Sequence, residues 1–141
     1  MIGSRRRALA NQVSGASKTY VVCEGKAVVG YYALASGAIA QPAIPGRFRR
    51  NIPNPIPVVV LARLAVDRRY QGRGLGRALF RDAARRVAHA ADTIGIRGIV
   101  VHAISEEARK FYIALGFDPC PAEAMTLVMT LSDIRTTLED S

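Results

Sequence analysis

Carboxylates are scarce in this chain. Eleven aspartates and glutamates stand against twenty lysines and arginines over 141 residues, a formal net charge of +9. Such a field favours polyanionic partners, such as phosphate-rich cofactors, nucleic acid or an acidic protein, although a solvated basic surface has the same composition. Two cysteines only, Cys23 and Cys120, lie far apart and outside any CxxC spacing. They read as reduced thiols of a cytoplasmic protein, and no metal site is expected from them. The two histidines, His89 and His102, also lack partners at metal-ligand spacing. No apolar run approaches 18 residues, so no membrane span is expected. Arg5-Arg6-Arg7 has no apolar segment behind it, which argues against a secretory leader.

Half of the residues are hydrophobic, enough for one domain over residues 1–141 with its own core. The most informative stretch is Val58–Val87. It holds a β-branched strand to Val66, then Gln71-Gly72-Arg73-Gly74-Leu75-Gly76, then a helix from Leu75 to Ala91. Glycines let backbone take positive φ and approach a ligand closely. A turn of that kind opening a helix aims several unpaired N–H groups at one place, with the helix dipole behind them. That is a phosphate or pyrophosphate site. The order G-x-G-x-G fits neither the dinucleotide fingerprint G-x-G-x-x-G nor the P-loop, which needs Lys-Ser or Lys-Thr after its last glycine.

Elsewhere the pattern alternates strands and helices. Residues 1–13 read as the end of a helix, broken at Ser14-Gly15. Lys18–Cys23 and Lys26–Ser36 flank Glu24-Gly25 as an antiparallel hairpin. Residues 38–57 carry five of the seven prolines and read as a loop without a central strand. In the first helix Leu75, Leu79, Ala83 and Val87 recur on a core-facing side. Beside them Arg73, Arg77, Arg81 and Arg85 recur every four residues. Like charges at that spacing cost a helix a few tenths of a kcal/mol each, which an anionic partner would offset. A solvated face with snorkelling side chains is the other reading. Ile96–Ile104 is a strand buried on both faces, in the parallel pairing of a βαβ unit. Ser105 caps a second helix, which stops at Gly116. Phe117–Thr130 supplies two last strands, and residues 132–141 read as a polar tail.

Two motifs in this order carry a resemblance. Gln71-x-x-Gly74-x-Gly76 after a strand is similar to the acetyl-CoA loop of GNAT N-acetyltransferases. Ala108-x-x-Phe111-Tyr112-x-x-x-Gly116-Phe117 is similar to their later helix. Over residues 7–131 the chain resembles, more closely, the TacT-like acetyltransferase toxins of type II toxin–antitoxin modules. The resemblance implies an α/β fold with a mixed sheet, the GNAT acyl-CoA N-acyltransferase fold. Its usual first strand and the start of its first helix, roughly two dozen residues, would precede the point where this sequence begins.

The resemblance further implies acetyl-CoA as co-substrate, with no metal, and the α-amino group of aminoacyl-tRNA as acceptor, so that translation stops. It implies a cognate ribbon-helix-helix antitoxin as partner, a homodimer, and a cytoplasmic location. Backbone of Leu64, Ala65 and Val66 would hold the pantetheine arm. Gln71, Gly72, Arg73, Gly74, Leu75 and Gly76 would cradle the pyrophosphate, and Tyr112 would act as general acid toward the departing sulfur. Arg47, Arg49 and Arg50 of the proline-rich loop, with Arg77, Arg81 and Arg85, are the candidates for tRNA contact. A small amine or protein N-terminus as acceptor, or a CoA- and RNA-binding form with little turnover, remain the alternatives.

The strand before the glycine turn, VVVLARLAV, bears on which amine is used. It has no carboxylate, and its one ionisable side chain is Arg63. A lysine ammonium with pKa about 10.4 is neutral in about 0.04% of molecules at pH 7, against roughly 14% for an α-amine near 7.8. A site without a strong base on that strand fits the α-amine better.

Overall fold

The computed structural model describes residues 6–10, 17–40 and 55–139. The body is a seven-stranded mixed sheet. Its order is β1 (Arg6–Ala10), β2 (Ser17–Glu24), β3 (Ala27–Ile39), β4 (Ile56–Val66), β5 (Gly98–His102), β7 (Glu123–Thr130) and β6 (Asp118–Cys120). Neighbours pair antiparallel except β4 with β5, which run parallel. Among the described residues three α-helices complete it: α1 (Leu75–Ile94), α2 (Glu106–Leu115) and α3 (Leu131–Glu139), with a 3-10 turn at Arg68–Tyr70. This is the α/β mixed sheet expected. None of the described helices is long and apolar enough to cross a membrane.

The parallel β4–α1–β5 crossover positions the glycine turn. Leu79, Phe80, Ala83 and Val87 of α1 are fully buried against the sheet, on the face set by their spacing. Burying a Leu, Phe or Val side chain contributes about 1.5–3 kcal/mol each. A polar contact fixes the same helix in register. The Tyr32 hydroxyl donates to the buried Asp82 carboxylate, and Arg86 Nε reaches Tyr32 Oη at 2.9 Å and Asp82 Oδ2 at 3.3 Å. Tyr20 stacks on Tyr32 with centroids 5.1 Å apart, and the Arg86 guanidinium lies 4.0 Å over the Tyr20 ring. Burial, then the Asp82 carboxylate, pushes the Tyr32 hydroxyl well above its ordinary pKa, so it remains a donor.

The helix ends follow their sequence signals. Gly95 caps α1 at φ 72°, and Ser105 Oγ accepts from the Ala108 N–H at 3.0 Å. Gly116 ends α2 at φ 112°.

Three expectations are corrected. Residues 6–10, expected within a helix end, form β1 against β2. A helix of that length is marginal alone, whereas pairing satisfies the backbone groups along the outer edge of β2. The proline-rich loop is shorter than 38–57, because β3 runs to Ile39 and β4 starts at Ile56. Pro57 is accommodated near the strand start, where its carbonyl accepts from Arg97 N–H at 2.9 Å and its missing donor costs one ladder bond. Positions 41–54, with Arg47, Arg49 and Arg50, lie outside the described residues.

The expected tail is mostly α3, which packs on α1, β5 and β7. Leu131, Ile134 and Leu138 give it an apolar side, with Ile134 fully buried, and Thr130 Oγ1 accepts from the Asp133 N–H at 3.1 Å. Replacing Ile134 by Ala should cost about 2–5 kcal/mol, read as a lowered denaturation midpoint with unchanged slope. A loss under ~0.5 kcal/mol, the range of an exposed position, would return residues 132–141 to the status of a tail.

Candidate active site

The site begins where β4 and β5 part. Their parallel pairing covers only Val59–Ile99, Val60–Val100 and Leu61–Val101. Beyond it β4 stays with β3 as far as Val66–Gly30, while β5 stays with β7 through His102–Thr126. An irregularity sits at the parting: Ala33 pairs with Arg63 and Leu34 with Leu61, leaving Ala62 as an extra residue. A bulge of this kind bends its strand and re-aims the residues after it. The side of β4 that faced β5 is therefore open from Ala62 onward, a strand edge at which an extended ligand arm can hydrogen-bond.

Two cavities meet along that edge, and both are lined by Leu64. The larger, about 420 Å³, lies between Val66, the glycine turn and Phe111 of α2. Gly72 and Gly74 both hold φ near 79°, and no protein atom lies within 4 Å of a Cβ added to either. Conformation rather than crowding thus demands glycine there. Gly74 is also the N-cap of α1 and offers no side-chain cap. The first-turn N–H groups of α1 are left for a ligand, which fits an anionic group such as a pyrophosphate.

Gln71 lines the same cavity, and its Nε2 donates to the Val66 carbonyl at 3.1 Å, which ties the turn to the end of β4. Asp67 secures the preceding turn by accepting from the Arg69 N–H at 2.9 Å. The Arg69 guanidinium beside it holds its carboxyl below the usual range.

The four arginines spaced four residues apart do not share one environment. Arg73 lies 5.2 Å from the Tyr70 ring, beside the larger cavity, and Arg77 lines that cavity. Arg81 donates to the Thr137 carbonyl of α3 at 3.2 Å, while Arg85 is exposed. Sequence spacing grouped them as a stripe; in the fold they divide among the larger cavity, an interhelical contact and solvent.

The smaller cavity, about 230 Å³, lies inside the opening between the strands. Arg63, Ala65, His102, Ile104 and Tyr112 border it. Tyr112 is mostly buried, edge-on to Phe111 and Phe117 with centroids 5.3 and 5.5 Å away. Burial pushes its hydroxyl above the ordinary tyrosine pKa, so it is protonated at neutral pH. Phe111 and Tyr112, adjacent in sequence, thus serve the two cavities separately. His102 and Ile104 were not foreseen at this site. Their signal was available, since a parallel strand beside the glycine motif ends at the same edge as that motif.

Residues 15–119 match the acetyltransferase (GNAT) domain model. The chain is 52% identical to the tRNA-acetylating toxin of Mycobacterium tuberculosis, over 96% of this chain and 82% of that protein. It resembles the structure of the toxin AtaT complexed with acetyl-methionyl-tRNAfMet, with a TM-score of 0.80 and 33% identity over 85% of this chain and 74% of that one. A tyrosine-to-phenylalanine mutant of AtaT, bound to the C-terminus of the antitoxin AtaR and acetyl-CoA, gives a TM-score of 0.73. Its identity is 32%, covering 87% of this chain and 72% of that one.

The turn geometry separates its glycines. Gly74→Ala should destabilise by about 1–2 kcal/mol, the penalty for a side chain in left-handed backbone. Gly76→Ala, whose Cβ would rest 3.4 Å from Phe111 Cζ at ordinary contact, should stay within about 1 kcal/mol of wild type. Equal effects in urea unfolding would contradict the conformational reading.

Proposed function

We propose that this chain, which belongs to the GNAT acetyltransferase family and within it to the tRNA-acetylating toxins, transfers acetyl from acetyl-CoA to the α-amino group of a charged tRNA. The observation that carries the reading is the open edge of β4, leading from the glycine turn to Tyr112 along a strand without a carboxylate. The relative that acetylates tRNA and the neighbour holding acetyl-methionyl-tRNA support the same acceptor.

In this reading the pyrophosphate sits on the N–H groups at Gly72–Gly76, with Arg77 and Arg73 adding charge. The backbone of Leu64, Ala65 and Val66 pairs with the pantetheine arm as an added strand. The thioester then lies in the smaller cavity, and the acceptor amine approaches from its mouth. The Tyr112 hydroxyl protonates the departing sulfur; burial, by raising its pKa, keeps that proton available at working pH. An α-amine suits this site because it sheds its own proton readily. The product is a charged tRNA whose amine can no longer attack a peptidyl ester, which halts translation in the cytoplasm. An antitoxin of the kind bound to AtaT would hold the protein inactive.

Labelled acetyl-CoA and charged tRNA, followed by nuclease digestion and mass spectrometry, test the acceptor. Label should appear on the aminoacyl-adenosine; label on nucleobases or protein alone would refute it. Tyr112→Phe should lower kcat by about 10²–10⁴-fold, the range for a general acid, at unchanged acetyl-CoA affinity. The arginines should divide in the same assays. Arg77→Glu should weaken acetyl-CoA, whereas Arg85→Glu should weaken tRNA and reduce its salt slope by about 1. Loss of acetyl-CoA binding by the Arg85 variant would merge the two surfaces.

A further inference from the structure

The proton shed by the acceptor amine has no carboxylate to receive it on β4. Across the opening, His102 ends β5 and borders the same cavity as Tyr112. Its place is set by strand pairing. His102 lies opposite Thr126 of β7, and its Nδ1 is 3.0 Å from Thr126 Oγ1. That contact engages Nδ1, and His102 lines the cavity from the exposed end of β5. When Nδ1–H donates to the hydroxyl, Nε2 carries the lone pair, which is how a neighbour selects the tautomer of a basic imidazole.

We infer that His102 is a catalytic residue that takes the proton of the acceptor amine, a step that rests on the acetyl-transfer reading above. The acceptor ammonium passes one proton to His102 Nε2; the neutral nitrogen then bonds to the acetyl carbonyl carbon and releases its second proton to solvent. The carbon–sulfur bond breaks with its electron pair on sulfur, which takes the Tyr112 hydroxyl proton. The imidazolium proton then restores the tyrosine through solvent, so one amide and one thiol form and both side chains are regenerated. An α-amine is ordinarily far less basic than a lysine ε-amine, so its proton is the easier of the two for an imidazole to take.

The charged and titratable groups around this step come from every neighbouring element. Arg63 faces it from β4, Tyr31 from β3 and Tyr112 from α2. Next to β7, Arg109 holds the Ala124 carbonyl at 3.0 Å while pairing with Glu106 at 3.3 Å.

The test follows thiol release and acetyl transfer from pH 6 to 9 with two acceptors, charged tRNA and free glycine ethyl ester. His102→Gln should lower kcat/KM about 10²-fold near pH 6.5 at unchanged acetyl-CoA affinity. The deficit should shrink at least tenfold by pH 9, where the amine is neutral unaided. His102→Asn can reach Thr126 but lacks the atom at Nε2, and should behave alike. A deficit that is absent, or constant with pH in both variants, overturns the proposal. Wild-type protein that acetylates the ester but not charged tRNA would overturn the tRNA reading alone, with His102 still tested on the ester. Wild type inactive on both acceptors would overturn both.

Discussion

The parting of β4 from β5 after Leu61 is the constraint on which the rest of the site depends. Two parallel strands that stayed paired would leave no open backbone and no space between them. The bulge at Ala62 starts the separation, and competing partners maintain it. β4 is held by β3 to its end, with Asp67 N–H on the Val29 carbonyl and Gln71 on the Val66 carbonyl. β5 is held by β7 through His102 and Thr126. Each strand satisfies its backbone on the far side, so the near side can stay open. The two cavities, the approach to Tyr112 and the exposed edge all follow from that geometry.

The second requirement is a rigid base for the glycine turn. The turn contributes little packing of its own, since Gly72 and Gly74 present open space to a ligand. Its position comes from α1, clamped by apolar burial and by the Tyr32–Asp82–Arg86 contact. Arg81 adds a tie to α3. Part of the positive charge that suggested a polyanion surface is thus spent inside the protein. Arg77 belongs with the glycines, and Arg85 is left to solvent.

Much of this was legible in the sequence for identifiable reasons. The glycine turn and the Phe111-Tyr112 helix carry local patterns, and the burial of Leu79, Ala83 and Val87 follows directly from helical spacing. The hairpin at Glu24-Gly25 and the cap at Ser105 are equally local. The misses are tertiary. A strand at residues 6–10 depends on an unpaired edge supplied by β2. Helix α3 hides three apolar residues among polar ones, although the spacing Leu131, Ile134, Leu138 was there to read. Splitting the arginine stripe requires knowing where α3 packs. His102 looks unremarkable until strand order places it across the cleft from Arg63. The family resemblance, by contrast, rested on short motifs and agrees with the fold throughout the described core.

On the proposed mechanism the cleft selects an amine by how easily it loses its proton. One acceptor carries both kinds of amine: lysine charged onto a tRNA that the protein accepts. Fragmentation mass spectrometry of the acetylated lysyl-adenosine reports which nitrogen bears the acetyl group. The α-nitrogen should carry it, by more than an order of magnitude near pH 7 given the difference in neutral fraction. Acetylation chiefly at the ε-nitrogen would contradict that mechanism.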